Sequence, residues 1–197
     1  PLPESAWEQI GWQGMETLGD LAHAYCYVQR TADGRIAIGG RGVPYRYGSQ
    51  TDNDGTTQPQ TIEALREILV RLFPATATVP IAHAWSGVLG VPRDWCSTVG
   101  LDRDTGLGWA GGYVGHGVAT TNLAGRTLRD LVLGQQTELT ALPWVGRKVR
   151  SWEPEPFRWL GVQAMYATYR AADKQERGGR DTTSPLAKVA DKVSGRF

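Results

Sequence analysis

Between Leu107 and Leu133 the sequence reads LGWAGGYVGHGVATTNLAGRTLRDLVL. Leu107–Tyr113 has the apolar character of a buried strand. It runs into a turn with glycine at 111, 112, 115 and 117, and the turn opens at once into Gly115–Leu133. There Val118, Leu123, Thr127, Leu128, Leu131 and Val132 recur at helical spacing, and Gly134 follows as a stop. The first-turn N–H groups of a helix lack internal partners and carry partial positive charge. A strand, a glycine turn and a helix start in that order therefore form a natural seat for an anionic or electron-rich group. Glycines at such a corner also serve tight strand–helix packing, and the bare pattern is compatible with either. His116, between two of the glycines, either touches a ligand or caps the turn.

Other residues able to do chemistry are scattered. His83 and Trp85 stand two apart in Val79–Val91 (VPIAHAWSGVLGV), which reads as a strand, so they share a face and either line a pocket or pack in a core. Tyr45 and Tyr47, in the loop Arg41–Ser49, are candidates to face a small-molecule substrate. Arg41 and Arg46 are candidates to pair with its carboxylate. Three dispersed histidines without an acidic cluster make no metal site. Arg93-Asp94 reads as a turn with a local ion pair. The two cysteines, Cys26 and Cys96, are too few for a disulfide framework, and Cys96 reads as a buried, inert thiol.

The elements that must position these residues follow from pattern. Tyr25–Thr31 and Arg35–Gly40 alternate in strand fashion about Asp33-Gly34, a tight hairpin with Ile36 and Ile38 on one face. Residues 4–12 suit a short helix. Residues 41–58 are a polar, glycine-rich loop. A helix starts at Pro59 or Thr61, carries Ile62, Leu65, Leu69 and Leu72, and stops at Pro74. Cys96–Leu101 is a further strand, 135–156 is irregular, Phe157–Arg177 is a helix, and the charged tail from Gly178 frays.

Composition narrows the function. The 197 residues carry 21 basic and 20 acidic side chains, a net charge of +1, which argues against a polyelectrolyte grip on nucleic acid. No apolar run reaches the roughly 20 residues of a membrane span. The expectation is a reduced cytoplasmic protein with no membrane and no nucleic-acid partner. The 25 glycines are nearly twice the average share, and they sit beside aromatic and β-branched residues, unlike those of a linker. The chain opens Pro1-Leu2-Pro3 with no Met and enters an ordered pattern at once, as a piece of a longer protein would.

Several of these segments, in order and spacing, resemble the C-terminal part of the FAD-dependent oxidoreductases of the D-amino-acid oxidase (DAO) family, which includes glycine, sarcosine and putrescine-type amine oxidoreductases. Thr31–Gly40 (TADGRIAIGG) resembles that family's substrate-domain hairpin. Trp85-Ser86-Gly87 followed by Pro92-Arg93-Asp94 resembles the segment leading to its last flavin contact. Gly111–Val118 (GGYVGHGV) and Leu123–Leu133 resemble its glycine turn and closing helix. Trp152–Gly161 (WEPEPFRWLG) resembles the end of one bacterial branch.

The resemblance implies an α+β fold. A mixed, mainly antiparallel sheet would form a substrate-domain portion over 1–106. The last strand and helix of a flavin-binding, Rossmann-like domain would span 107–134, with a C-terminal extension over 135–197. It implies FAD as cofactor, with Gly112, Tyr113, Gly115, His116, Gly117 and Val118 at the pyrimidine edge of the isoalloxazine, held mainly by backbone. Tyr45, Tyr47, His83 and Trp85 would border an amine or amino-acid substrate. The family's G-x-G-x-x-G unit is missing, so an N-terminal dinucleotide-binding part would lie outside this sequence. The rival readings are a non-catalytic truncated fragment, or a small-ligand or phosphate-binding module that does not hold FAD by itself.

Overall fold

The computed structural model describes residues 1–40, 45–51, 56–179 and 182–194. Helices alternate with short antiparallel sheets, which places the chain in the expected α+β class. Two compact units divide it. One comprises Pro1–Gly87 and Glu155–Ala190, and the other is built on Val88–Pro154.

In the first unit α1 (Glu4–Ile10) is followed by β1 (Thr17–Gly19), β2 (Cys26–Arg30) and β3 (Ile36–Gly40), an antiparallel sheet in that order. The β2–β3 hairpin forms as expected, with Cys26 opposite Gly40 and Arg30 opposite Ile36. Strand alternation sends Cys26 and Val28 into the core and Tyr27 and Gln29 outward. Ile36 and Ile38 join the buried face. Ile68, Leu69 and Leu72 of α2 (Pro59–Leu72) cover it together with Trp7 and Trp12. Trp12 meets Phe73 at 5.6 Å between ring centroids, and the Arg30 guanidinium lies 4.2 Å above Trp7. β1 has no strand signature in its own sequence and exists because it pairs with β2.

In the second unit β4 (Thr98–Leu101) and β5 (Gly108–Gly111) form an antiparallel pair, and α3 (Gly117–Val132) packs against both. Val99, Ala124 and Thr127 are fully buried there. Val99 also bridges to Val145: its N–H donates to the Trp144 carbonyl and its carbonyl accepts from Gly146. The expected buried strand over 107–113 is corrected, since β5 is shorter and Gly108, Trp109 and Ala110 are exposed. Its one neighbour among the described residues is β4, so one edge and one face stay open. Trp109 lies over Gly100 directly opposite, where any Cβ would collide with the indole.

Two further expectations are corrected. Val79–Val91 has no regular secondary structure, and Ile81, Trp85, Val88 and Leu89 are exposed. An alternating apolar segment becomes a strand only beside another, and no described strand pairs with it. The tail after α4 (Phe157–Arg177) does not simply fray, because α5 (Pro185–Ser194) forms and buries Ala187 and Ala190. The overlooked signal is Ser184-Pro185: Ser184 Oγ accepts the Leu186 N–H at 3.3 Å, and Pro185 is the first helical residue. Among the described residues no helix is long and apolar enough to cross a membrane.

Candidate functional site

The glycine turn links β5 to α3 through an unusual backbone. Gly112, Val114 and Gly115 all have positive φ, at 75°, 48° and 97°. A Cβ on Gly112 would come within 2.6 Å of Pro92 Cγ and 3.5 Å of the Cys96 carbonyl. Glycine is therefore required by the fold at 112, and the left-handed angle favours it at 115. Gly117 differs. A Cβ there would sit 3.6 Å from Tyr113 Cδ2 and 3.7 Å from Thr121 Oγ1, ordinary contact distances. Packing among the described residues leaves Gly117 without a reason to be glycine.

Gly117 is also the first residue of α3, whose N-cap is His116. The His116 N–H donates to the Tyr113 carbonyl at 3.0 Å, but no side chain caps the helix, and its first turn holds no acidic residue. His116 is exposed and does not fill the capping role that its position allowed. Val118 is 98% exposed. The opposite end of the same helix is closed. Arg103 Nη2 donates to the Leu131 carbonyl at 2.7 Å, and Gly134, with φ of 68°, donates to it as well. The uncompensated partial charge of α3 is thus the positive one, at the glycine turn.

The turn is braced from behind. Arg93 Nε contacts both Glu153 carboxylate oxygens, at 3.1 and 3.0 Å, and its guanidinium lies 5.1 Å from the Trp152 ring centroid. Trp152 Nε1 donates to the Val91 carbonyl at 2.7 Å. Arg147 pairs with Asp94 and donates to the Cys96 carbonyl. The expected local Arg93–Asp94 pair is therefore corrected: each charge is satisfied by a residue of 147–153, and segment 91–96 is clamped where Pro92 meets Gly112. Glu153's own backbone N–H holds its carboxyl below the usual range; burial opposes this and Arg93 adds to it. On α3, hydrogen bonds from Thr137 and then Arg129 lower the buried Asp130 carboxyl.

All the remaining sequence candidates but Cys96 lie in the first unit. His83 and Trp85 do share a face, their rings stacked 5.7 Å apart at 18°, and Trp85 is 69% exposed. The Tyr45 hydroxyl donates to Glu155 at 2.7 Å, while Tyr47 is exposed and meets Trp159 edge-on at 6.5 Å. Arg46 is half-buried, and Arg41 lies outside the described residues. His23, read as lacking acidic company, has it. Its N–H donates to Asp173 at 2.8 Å, its Nε2 meets Glu176 at 3.0 Å, and its ring stacks on Tyr169. The carboxylates also take the N–H groups of Ala24 and Ser184, so the group ties residues 23–24 to α4. Cys96 is exposed and Cys26 buried, the reverse of the expectation for Cys96, because 96 falls in the clamped turn and 26 on the inner face of β2. Glu155, which the sequence reading passed over, gathers more hydrogen bonds than any of the named candidates; only its place in WEPEPFRWLG marked it.

The model of the FAD-dependent oxidoreductase family, DAO, matches residues 1–131. The chain is 35% identical over 133 residues to a probable oxidoreductase OrdL of Rhizobium meliloti, covering 66% of this chain and 28% of that protein. It is 33% identical over 123 residues to the gamma-glutamylputrescine oxidoreductase of Escherichia coli, covering 62% and 26%. A probable oxidoreductase OrdL of Haemophilus influenzae is 28% identical over 115 residues, covering 58% and 23%. The chain thus spans roughly a quarter of the length of these relatives. No solved structure matches it. Pro92, the glycine turn and nearly all of α3 fall inside the matched residues, and the chain belongs to the FAD-dependent oxidoreductases of the DAO family.

Proposed function

We propose that this chain is the C-terminal part of a flavoenzyme that oxidises an amine or amino acid. The observation that carries the flavin assignment is Gly117: a glycine with no internal reason to be one, at the uncapped positive end of α3, beside an exposed Val118. A residue without a side chain lets an outside group approach the backbone closely. FAD is the cofactor of the family, and the residues here suit it. Backbone groups of Gly112, Tyr113, Gly115, His116 and Gly117 would hold the pyrimidine edge of its ring. The α3 N–H groups favour negative charge there, already oriented before the reaction begins. Val118 offers an apolar contact. Bound FAD supplies a two-electron acceptor.

In the reaction the C–H bond next to the nitrogen of the neutral amine would break, its electron pair leaving with the hydrogen as hydride to the acceptor that FAD would supply, while the nitrogen lone pair forms the C=N bond of an iminium ion that gives up an N–H proton to become the imine. The chain's part is to orient the amine and keep water out. Tyr47, His83 and Trp85 are assigned to the substrate side, with Tyr47 and Trp85 each more than half exposed, and Tyr45 is assigned to the loop that carries Tyr47. The amine class is supported by the similarity to gamma-glutamylputrescine oxidoreductase. β5 and α3 act as the last strand and helix of the flavin domain, whose dinucleotide-binding part lies outside this chain.

The test uses the full-length protein. Gly117→Val is expected to lose the visible flavin absorbance per protein, and Cys96→Ser to keep it. Anaerobic addition of amines or amino acids is expected to bleach the wild-type flavin. Bleaching by hydroxy acids or alcohols alone would contradict the amine assignment, and a fully loaded Gly117→Val protein would contradict the flavin assignment.

A further inference from the structure

Glu155 stands just before α4 and draws one loop onto that helix. Its Oε1 accepts from the Tyr45 hydroxyl at 2.7 Å, the Gly48 N–H at 3.0 Å and Arg158 Nη2 at 3.1 Å. Its Oε2 accepts the Trp159 N–H, in the first turn of α4, at 3.1 Å. Tyr45 is fixed at both ends. Its carbonyl accepts from Gln163 Nε2 at 3.0 Å, and its ring lies 4.9 Å under the Arg158 guanidinium. Its hydroxyl gives its one proton to Glu155. It also takes the Ser49 N–H at 2.9 Å and meets Ser49 Oγ at 3.1 Å. A phenol has one proton and two lone pairs, so no capacity is left on Tyr45 for a ligand.

The loop held in this way is strained. Gly48 and Ser49 both have left-handed backbones, φ 68° and 59°, and the second is not glycine. Such angles persist only where surrounding bonds enforce them. The residue they project is Tyr47, 51% exposed, its ring edge on Trp159 and its hydroxyl without a hydrogen bond among the described residues.

We propose that Glu155 is a positioning residue for substrate recognition, holding loop 45–49 so that Tyr47, and not Tyr45, is the tyrosine offered to the substrate. The proposal rests on the oxidoreductase reading above and deepens its substrate side. Tyr47 brings an apolar ring for the carbon chain and a hydroxyl for a polar group of the donor. Burial disfavours charge on Glu155, but the bonds from Tyr45, Gly48, Trp159 and Arg158 outweigh it and hold its carboxyl at about 2, so the clasp is fully charged at neutral pH.

The experiment is steady-state kinetics on the full-length flavoenzyme, with whichever donor class bleaches the wild-type flavin. Glu155→Gln and Tyr47→Ala are each expected to raise KM about tenfold, with kcat changed by less than about threefold and flavin content unchanged. In the Tyr47→Ala background, Glu155→Gln is expected to lose most of its effect, because its action runs through Tyr47. A role in stability alone would lower the unfolding temperature and leave this coupling absent. Unaltered KM in Tyr47→Ala, which is exposed and should fold, would overturn the proposal, as would an undiminished Glu155→Gln effect in the double variant. Reduction by hydroxy acids in place of amines would count against the amine assignment and leave the Glu155–Tyr47 test in force. A wild-type flavin bleached by no donor would overturn both.

Discussion

Gly112 and Gly117 lie in one turn and answer to different constraints. Gly112 is held by its left-handed φ and by the Pro92 ring; Gly117 by neither. Gly112→Ala is therefore expected to destabilise this chain by about 1–3 kcal/mol, read as a lower denaturation midpoint in urea. The same scale governs Glu155. Its folded value of about 2 lies below the ordinary 4.5, so its stabilising contribution is complete above about pH 4.5 and is lost as pH falls towards 2. Unfolding temperature measured across that window should drop more steeply for the wild type than for Glu155→Gln, which has no carboxylate to protonate. Equal slopes would show that the clasp adds nothing to the pH dependence. Glu155 was not legible as a hub in the sequence, because its partners Tyr45 and Gly48 lie more than a hundred residues away. The turn was legible, since its glycines, strand and helix are contiguous.

Elements that carry their own instructions were readable. The β2–β3 hairpin has alternation and an Asp33-Gly34 turn, and α2 and α4 have apolar stripes with proline at or just before their starts. Elements that need a partner were not. Val79–Val91 alternates like a strand yet has no pairing strand, and β5 lies open where burial was expected. α5 was missed because its buried face is made of alanines, too small to show as an apolar stripe. If 79–91 becomes a strand by pairing with the part of the protein outside this chain, its amides should exchange rapidly in the 197-residue chain and slowly in the full-length protein. Hydrogen-exchange mass spectrometry reads this directly, and equally fast exchange in both would show that the segment is a loop throughout.

For the whole molecule, the decisive fact is that the chain spans about a quarter of its relatives' length. Leu107, Trp109, Val118, Val132 and Leu133 are exposed on β5, on α3 and beside them. On the proposal that a dinucleotide-binding unit lies in the length of its relatives that this chain does not span, the chain alone should bind an apolar dye and hold FAD weakly. Submicromolar FAD affinity in a fluorescence titration would contradict this. The proposed seat of the flavin at the start of α3 is tested most directly by one comparison in the full-length protein: FAD bound per protein in Gly117→Ala and in Gly125→Ala. Gly125 lies on the same helix with nothing within 4 Å of a Cβ, so it controls for the change in helix propensity. Gly117→Ala should lose flavin or shift its visible spectrum while Gly125→Ala stays fully loaded. Full loading with an unshifted spectrum in both would contradict the assignment of this turn to the flavin.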